Sequence, residues 1–298
     1  MFPACNIVAG LAAIFLFALT IAAAPQGGNR VDPAKVPVVY SVPGMERAVV
    51  RRAVVFDKST ASPLAFDAYL PRGLRNGESR PAIIFISGGE RVREWQWFIT
   101  WGRLAAAHGL VGIVPDKRYP RAFEGIRSGF EDTEKLLAFL QSEGERLGID
   151  PRRLCLWTFS AGGRLTSVGL QSKWPGVRCL VSFYGVLDAS REMPDASGEA
   201  DRETLVKRYS PLHAMEALVA SGNRPPPIFI ARAGRDSIPM LNAGIDNFAA
   251  AALRLNAPLT IMNYPEGDHG FDGVNDTAQS RAIIKAALKF VEEQTAAR

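Results

Sequence analysis

Apolar residues recur along the chain in two alternating rhythms, and their order outlines a fold. Runs rich in Ile, Val, Leu and Phe stand at 82–86, 110–114, 153–159, 177–184, 228–231 and 259–264. Runs of that length and content predict strands. Between them lie stretches of helical spacing at 94–108, 129–148, from Ser160 onward, 241–255 and 276–294. In the second of these Leu136, Leu137 and Leu140 share one face, and Gly148 can end the helix. Two β-rich segments come first, 48–56 and 64–70, parted by the turn-forming Asp57-Lys58-Ser59-Thr60. They predict an antiparallel hairpin. Strands that alternate with helices imply a mostly parallel sheet covered on both faces, a three-layer α/β sandwich. The charged stretch 188–210 breaks the rhythm and is expected to be an insertion over the sheet edge, a candidate lid.

The N-terminus changes the picture of where the chain resides. Residues 1–24 carry no charged side chain, and the run from Ile7 ends in Ala22-Ala23-Ala24. It reads as a signal peptide for export to the periplasm or outside the cell. A polar linker at 25–37 and a catalytic domain at 38–298 are expected to follow. The segment lacks an early Lys or Arg, and Pro25 sits awkwardly after a cut at Ala24. An uncleaved anchor is therefore the alternative, and the only membrane link expected.

Composition excludes other classes. With 47% hydrophobic and 22% charged residues, the chain of 298 residues suits one large packed domain. The net charge of +5 is scattered, whereas a nucleic-acid partner would require a clustered basic stripe. Cys5 lies in the N-terminal segment, and Cys155 and Cys179 fall in apolar runs expected to be neighbouring strands. Two buried free thiols are favoured there over a disulfide, since neither has an activating basic neighbourhood. No Cys or His spacing fits a metal site, and no cofactor is implied.

Four stretches carry chemistry. Trp157-Thr158-Phe159-Ser160-Ala161-Gly162-Gly163 sets a serine at a strand-to-helix junction, where a sharp turn lifts a nucleophile from the sheet. Serine needs a base, and the chain has three histidines. His108 ends a helix and His213 starts a short one. His269, in Glu266-Gly267-Asp268-His269-Gly270-Phe271, follows the last strand between glycines that leave room for its ring. The base needs an acid to hold its tautomer. Asp236, in Gly234-Arg235-Asp236, is favoured, with Asp188 its rival and Asp268 and Asp272 close in sequence to His269 but awkwardly so. An oxyanion needs backbone donors, worth roughly 3 to 4 kcal/mol each. Ser87-Gly88-Gly89-Glu90 follows a strand and offers Gly88 or Gly89, together with Ala161. Trp95, Trp97 and Trp101 are expected to pack a helix on the sheet, with a role lining the substrate pocket as the alternative.

These stretches, with Leu147-Gly148-Ile149-Asp150-Pro151, resemble the α/β-hydrolase superfamily from about residue 38 onward. The likeness runs to secreted esterases and lipases and to the dienelactone-hydrolase and prolyl-oligopeptidase-like groups. It implies Ser160 as nucleophile, Asp236 as acid, His269 as base, and Gly88, Gly89 and Ala161 as oxyanion hole. Two positions depart from the pattern: Ser87 replaces a histidine and Thr158 a glycine. The expected activity is hydrolysis of small acyl esters through an acyl-enzyme. A peptidase or thioesterase of the same fold, or a non-catalytic binding protein built on it, are the alternatives.

Overall fold

The computed structural model describes residues 32–118, 123–190 and 202–297. The expected signal at 1–24 lies outside them, as does 191–201 of the candidate lid. Among the described residues the strands are β1 (Val49–Asp57), β2 (Leu64–Leu70), β3 (Arg80–Ile86), β4 (Val111–Pro115), β5 (Ile149–Phe159), β6 (Val177–Phe183), β7 (Ile228–Ala233) and β8 (Leu259–Tyr264). The helices are α1 (Gln96–Ala107), α2 (Phe123–Glu143), α3 (Thr166–Gly169), α4 (Arg202–Tyr209), α5 (Pro211–Ala220), α6 (Pro239–Arg254), α7 (Phe271–Val274) and α8 (Ala278–Thr295).

One eight-stranded sheet runs in the order β1-β2-β4-β3-β5-β6-β7-β8. The hairpin of β1 and β2 is antiparallel, β2 meets β4 antiparallel, and every later pairing is parallel. The three-layer α/β sandwich expected from the alternation is the fold observed.

Each central strand feeds two cores because successive side chains point to opposite faces. In β5, Leu154 and Leu156 join Leu136, Leu137 and Leu140 of α2 on one face. Cys155, Trp157 and Phe159 join Trp101 of α1 and Leu288 of α8 on the other. Each such large apolar side chain, fully buried, contributes about 1.5 to 3 kcal/mol.

Several expectations are corrected. Cys155 and Cys179 form a disulfide where two free thiols were favoured. They are direct partners in the β5–β6 register, with Cα atoms 4.8 Å apart on the same face, within the span a bridge requires. The linker expected to reach residue 37 is already docked at its end. There the Pro33 and Ala34 carbonyls accept from the Trp97 and Gln96 N–H groups at the start of α1, satisfying donors that a helix N-terminus leaves open. Helix α2 starts at Phe123, before the expected 129, and a 3-10 turn at Glu145–Leu147 leads to Gly148, whose φ of 77° only glycine adopts easily. The helix expected from Ser160 is a 3-10 turn, Ser160–Leu165, continued by the single turn of α3. The described end of the candidate lid is α4, whose Tyr209 packs edge-on against Phe130 of α2 at 5.0 Å.

Candidate active site

Segments from six strands converge at the C-terminal rim of the parallel sheet. At the end of β5, Ser160 has a φ of 51°, in the left-handed region that a non-glycine residue rarely adopts. Strain of this kind persists only where the surroundings over-determine it. Here the Ser160 carbonyl accepts from the Val186 N–H at 3.0 Å. A Cβ on Gly163 would stand 2.3 Å from that same nitrogen, so only glycine lets the turn sit this close to the segment after β6. Thr158, in the place of a glycine, is fully buried. Its hydroxyl bonds the Thr166 hydroxyl at 3.0 Å and the Val181 carbonyl at 3.2 Å.

The turns after β7 and β8 bring in the other two groups. His269 Nε2 stands 2.9 Å from Ser160 Oγ, and its Nδ1 2.7 Å from Asp236 Oδ2. The Asp236 side chain is fully buried, and its second oxygen accepts from the Ile238 N–H at 2.9 Å. The two turns are tied together by the Arg235 N–H, which donates to the Gly267 carbonyl at 2.9 Å, and by an Arg235–Glu266 ion pair. The rival acid, Asp188, instead accepts from the Ser190 N–H and hydroxyl and from Asn247. His108 meets Glu292 at 2.7 Å.

The loop after β3 closes the site on one side. An added Cβ on Gly88 would come 2.7 Å from the Ala161 Cβ, so Gly88 and Ala161 are immediate neighbours. The Gly89 N–H donates to Ser87 Oγ at 3.0 Å. Of the two glycines expected to supply an oxyanion donor, Gly89 thus has its N–H engaged within the loop. The Trp95 ring lies over Gly89, where a Cβ would meet it at 2.9 Å. Trp97 and Trp101 are buried in the core, as expected of packing residues.

Two further residues shape the site. Asp272 is fully buried and accepts from Trp97 Nε1 at 2.8 Å, Trp101 Nε1 at 2.9 Å and the Tyr184 hydroxyl at 2.5 Å. Burial raises its pKa, against the pull of those three donors. The Tyr184 ring in turn lies 4.7 Å from the His269 ring, centroid to centroid. Lys117, just past β4 and only 5% exposed, donates from Nζ to the Gly89 carbonyl at 2.5 Å, and from its backbone N–H to the Glu90 carbonyl at 3.2 Å. Burial is the main cause holding its pKa down at about 7, opposed by Glu90 and Asp132 and aided by Arg164. Neither role is foreseen from the sequence. Asp272's partners lie more than 80 residues away. For Lys117 a signal existed: a lysine directly after a buried strand stands at the rim where such sheets bind ligands.

The pattern of the prolyl oligopeptidase family matches residues 127–298, which include Ser160, Asp236 and His269. Among solved structures, a thermophilic esterase from the planctomycete Thermogutta terrifontis is 20% identical, with a TM-score of 0.65 over 84% of this chain and 94% of that one. Its propionate-bound form is 21% identical, with a TM-score of 0.66 over 86% and 98%. The form phosphorylated by paraoxon gives 20% and 0.64 over 87% and 98%. A search of curated proteins returned no match. With the family pattern covering more than half of its length, the chain belongs to the prolyl oligopeptidase family and is a serine hydrolase of the α/β-hydrolase fold.

Proposed function

We propose that the protein hydrolyses carboxylic esters of small molecules through an acyl-enzyme. The observation that carries this reading is the continuous hydrogen-bonded line from Ser160 Oγ through both ring nitrogens of His269 to buried Asp236. His269 takes the Ser160 proton as the oxygen attacks the ester carbonyl. Asp236 keeps the Nδ1 proton in place and stabilises the imidazolium that forms. The oxyanion is held by the N–H groups of Gly88 and Ala161, which adjoin each other beside Ser160, while the Gly89 N–H braces the loop. The imidazolium returns its proton to the leaving alcohol, and water then releases the acid by the same route.

Support for an ester over a peptide comes from the architecture shared with the Thermogutta terrifontis esterase along nearly all of that chain. A peptidase reading draws on the family itself. Hydrolysis of short and medium p-nitrophenyl esters by the protein lacking residues 1–24, beside matched peptide p-nitroanilides, decides between them. Ester turnover is expected, abolished by Ser160→Ala and cut by about 10⁴-fold in kcat by Asp236→Asn. Turnover of the anilides alone overturns the ester reading, and turnover of neither, in folded protein, overturns hydrolysis. We further take residues 1–24 as an export signal. A mature N-terminus near Ala24 in exported protein, read by mass spectrometry, is the expected result, and intact Met1 in a membrane fraction argues for the anchor.

A further inference from the structure

The loop Ser87–Glu90 reaches past the end of β3 without joining a strand or helix, yet it must present an N–H to within a few tenths of an ångström for the oxyanion to benefit. Among the described residues three bonds brace it. One is internal, from the Gly89 N–H to Ser87 Oγ, and the other two come from Lys117, whose ammonium takes the Gly89 carbonyl and whose N–H takes the Glu90 carbonyl. Successive carbonyls are thereby drawn toward β4. The peptide planes of the loop are thereby held from the β4 side.

We propose that Lys117 is a positioning residue for the oxyanion loop, acting through its charged ammonium on the Gly89 carbonyl; this rests on the ester-hydrolase reading above. An ammonium polarises a carbonyl far more strongly than a neutral amine does, and in a buried setting the difference is large. Among the described residues the charged groups facing Lys117 are Glu90 from the loop, Asp132 from α2 and Arg164 from the turn after Ser160. Beside it in sequence, Asp116 is paired with Arg93, and Arg118 is held by Asp132 at 2.6 Å. With its pKa lowered to about 7, Lys117 is charged below that pH and neutral above it. Its grip, and with it the rate, weakens on the alkaline side.

The test is kcat and KM for p-nitrophenyl esters from pH 5.5 to 9.5, for the wild-type chain, Lys117→Met and Lys117→Arg. The same series is run for labelling of Ser160 by a fluorophosphonate, which requires an activated serine and an oxyanion site but no particular ester. Wild-type kcat is expected to fall above about pH 7 with KM little changed. Lys117→Met is expected to lose roughly 10- to 100-fold in kcat and to show no alkaline decline. Lys117→Arg, whose guanidinium keeps its charge, is expected to retain more activity than Lys117→Met and to hold it through pH 9. An alkaline decline that persists in Lys117→Met, or a kcat unchanged by that substitution, overturns the proposal and leaves the hydrolase reading intact. If wild type turns over no ester but is labelled, the ester reading fails and the pH profile of labelling judges Lys117 by the same criteria. No turnover and no labelling, in folded protein, overturns both.

Discussion

At the scale of single residues, function is bought with conformation at Ser160. Its φ of 51° carries a cost of order 1 to 3 kcal/mol, which a residue without a Cβ escapes. Ser160→Gly and Ser160→Ala should therefore be equally inactive but differ in stability. The glycine variant is expected to be the more stable by about 1 kcal/mol, measured by urea unfolding; a glycine variant less stable than the alanine one, as glycine is at an unstrained position, would show that the turn carries no strain. The three groups of the hydrogen-bonded line were legible in the sequence because each sits in a local signature: a serine at a strand end among small residues, and an aspartate and a histidine in glycine-bearing turns after the two last strands. Asp272 was not legible. It collects two tryptophans of α1 and a tyrosine that follows β6, and nothing near Phe271 in the sequence points to any of them.

Among elements, the strands were read closely because buried parallel strands are unbroken apolar runs, and helix boundaries less so. The apolar stripe of α2 continues back through Phe130 and Ile126, but Gly125 and Gly129 interrupt the pattern that sequence reading relies on, since glycine is a weak helix former. Cysteine pairing escaped for a different reason. That two runs are both strands says nothing of their register, and register decides whether Cys155 meets Cys179. Protein lacking residues 1–24, and so lacking Cys5, is expected to yield no free thiol when unfolded without reductant and two after reduction, counted by alkylation and mass spectrometry. Closure of the segment between the two cysteines is worth about 3 kcal/mol in the chain-entropy account. Cys155→Ser with Cys179→Ser should lower stability in that direction. Two thiols in oxidised, unreduced protein would contradict the bridge.

For the whole molecule, the alternation of strands and helices announced the class, but not that β4 lies between β2 and β3, since crossovers leave no local trace. The hairpin edge is secured to the body by Lys135 of α2, whose ammonium meets Asp57 of β1 at 2.6 Å. Burial opposes the Asp57 charge, but Lys135 and the Ser59 N–H and hydroxyl outweigh it and bring the pKa from 3.8 to about 2. A carboxylate whose folded pKa is depressed stabilises the fold above its unfolded value and loses that contribution as the pH falls through the folded one. Stability should thus decline between about pH 4 and pH 2. Solvent screening limits the share of this one group to about 1 kcal/mol, and Lys135→Met should lose most of it. Urea midpoints at pH 5 and pH 2 for the two proteins, differing no more in one than in the other, would count against the pairing.

The chemistry is gathered where the parallel strands end, after β3, β4, β5, β6, β7 and β8. Where those strands begin lie the tight turns at Gly109, Gly148, Gly176 and Gly222 and a cleft of about 490 Å³ walled by Trp174, Arg178 and Pro225–Pro227. The molecule has, in effect, a working end and a handle. A tether to a solid support or a fused partner joined at Asn223 would hold the protein by its base with Ser160 directed away from the attachment, and the loops of that base can be recut without a change to the reacting groups.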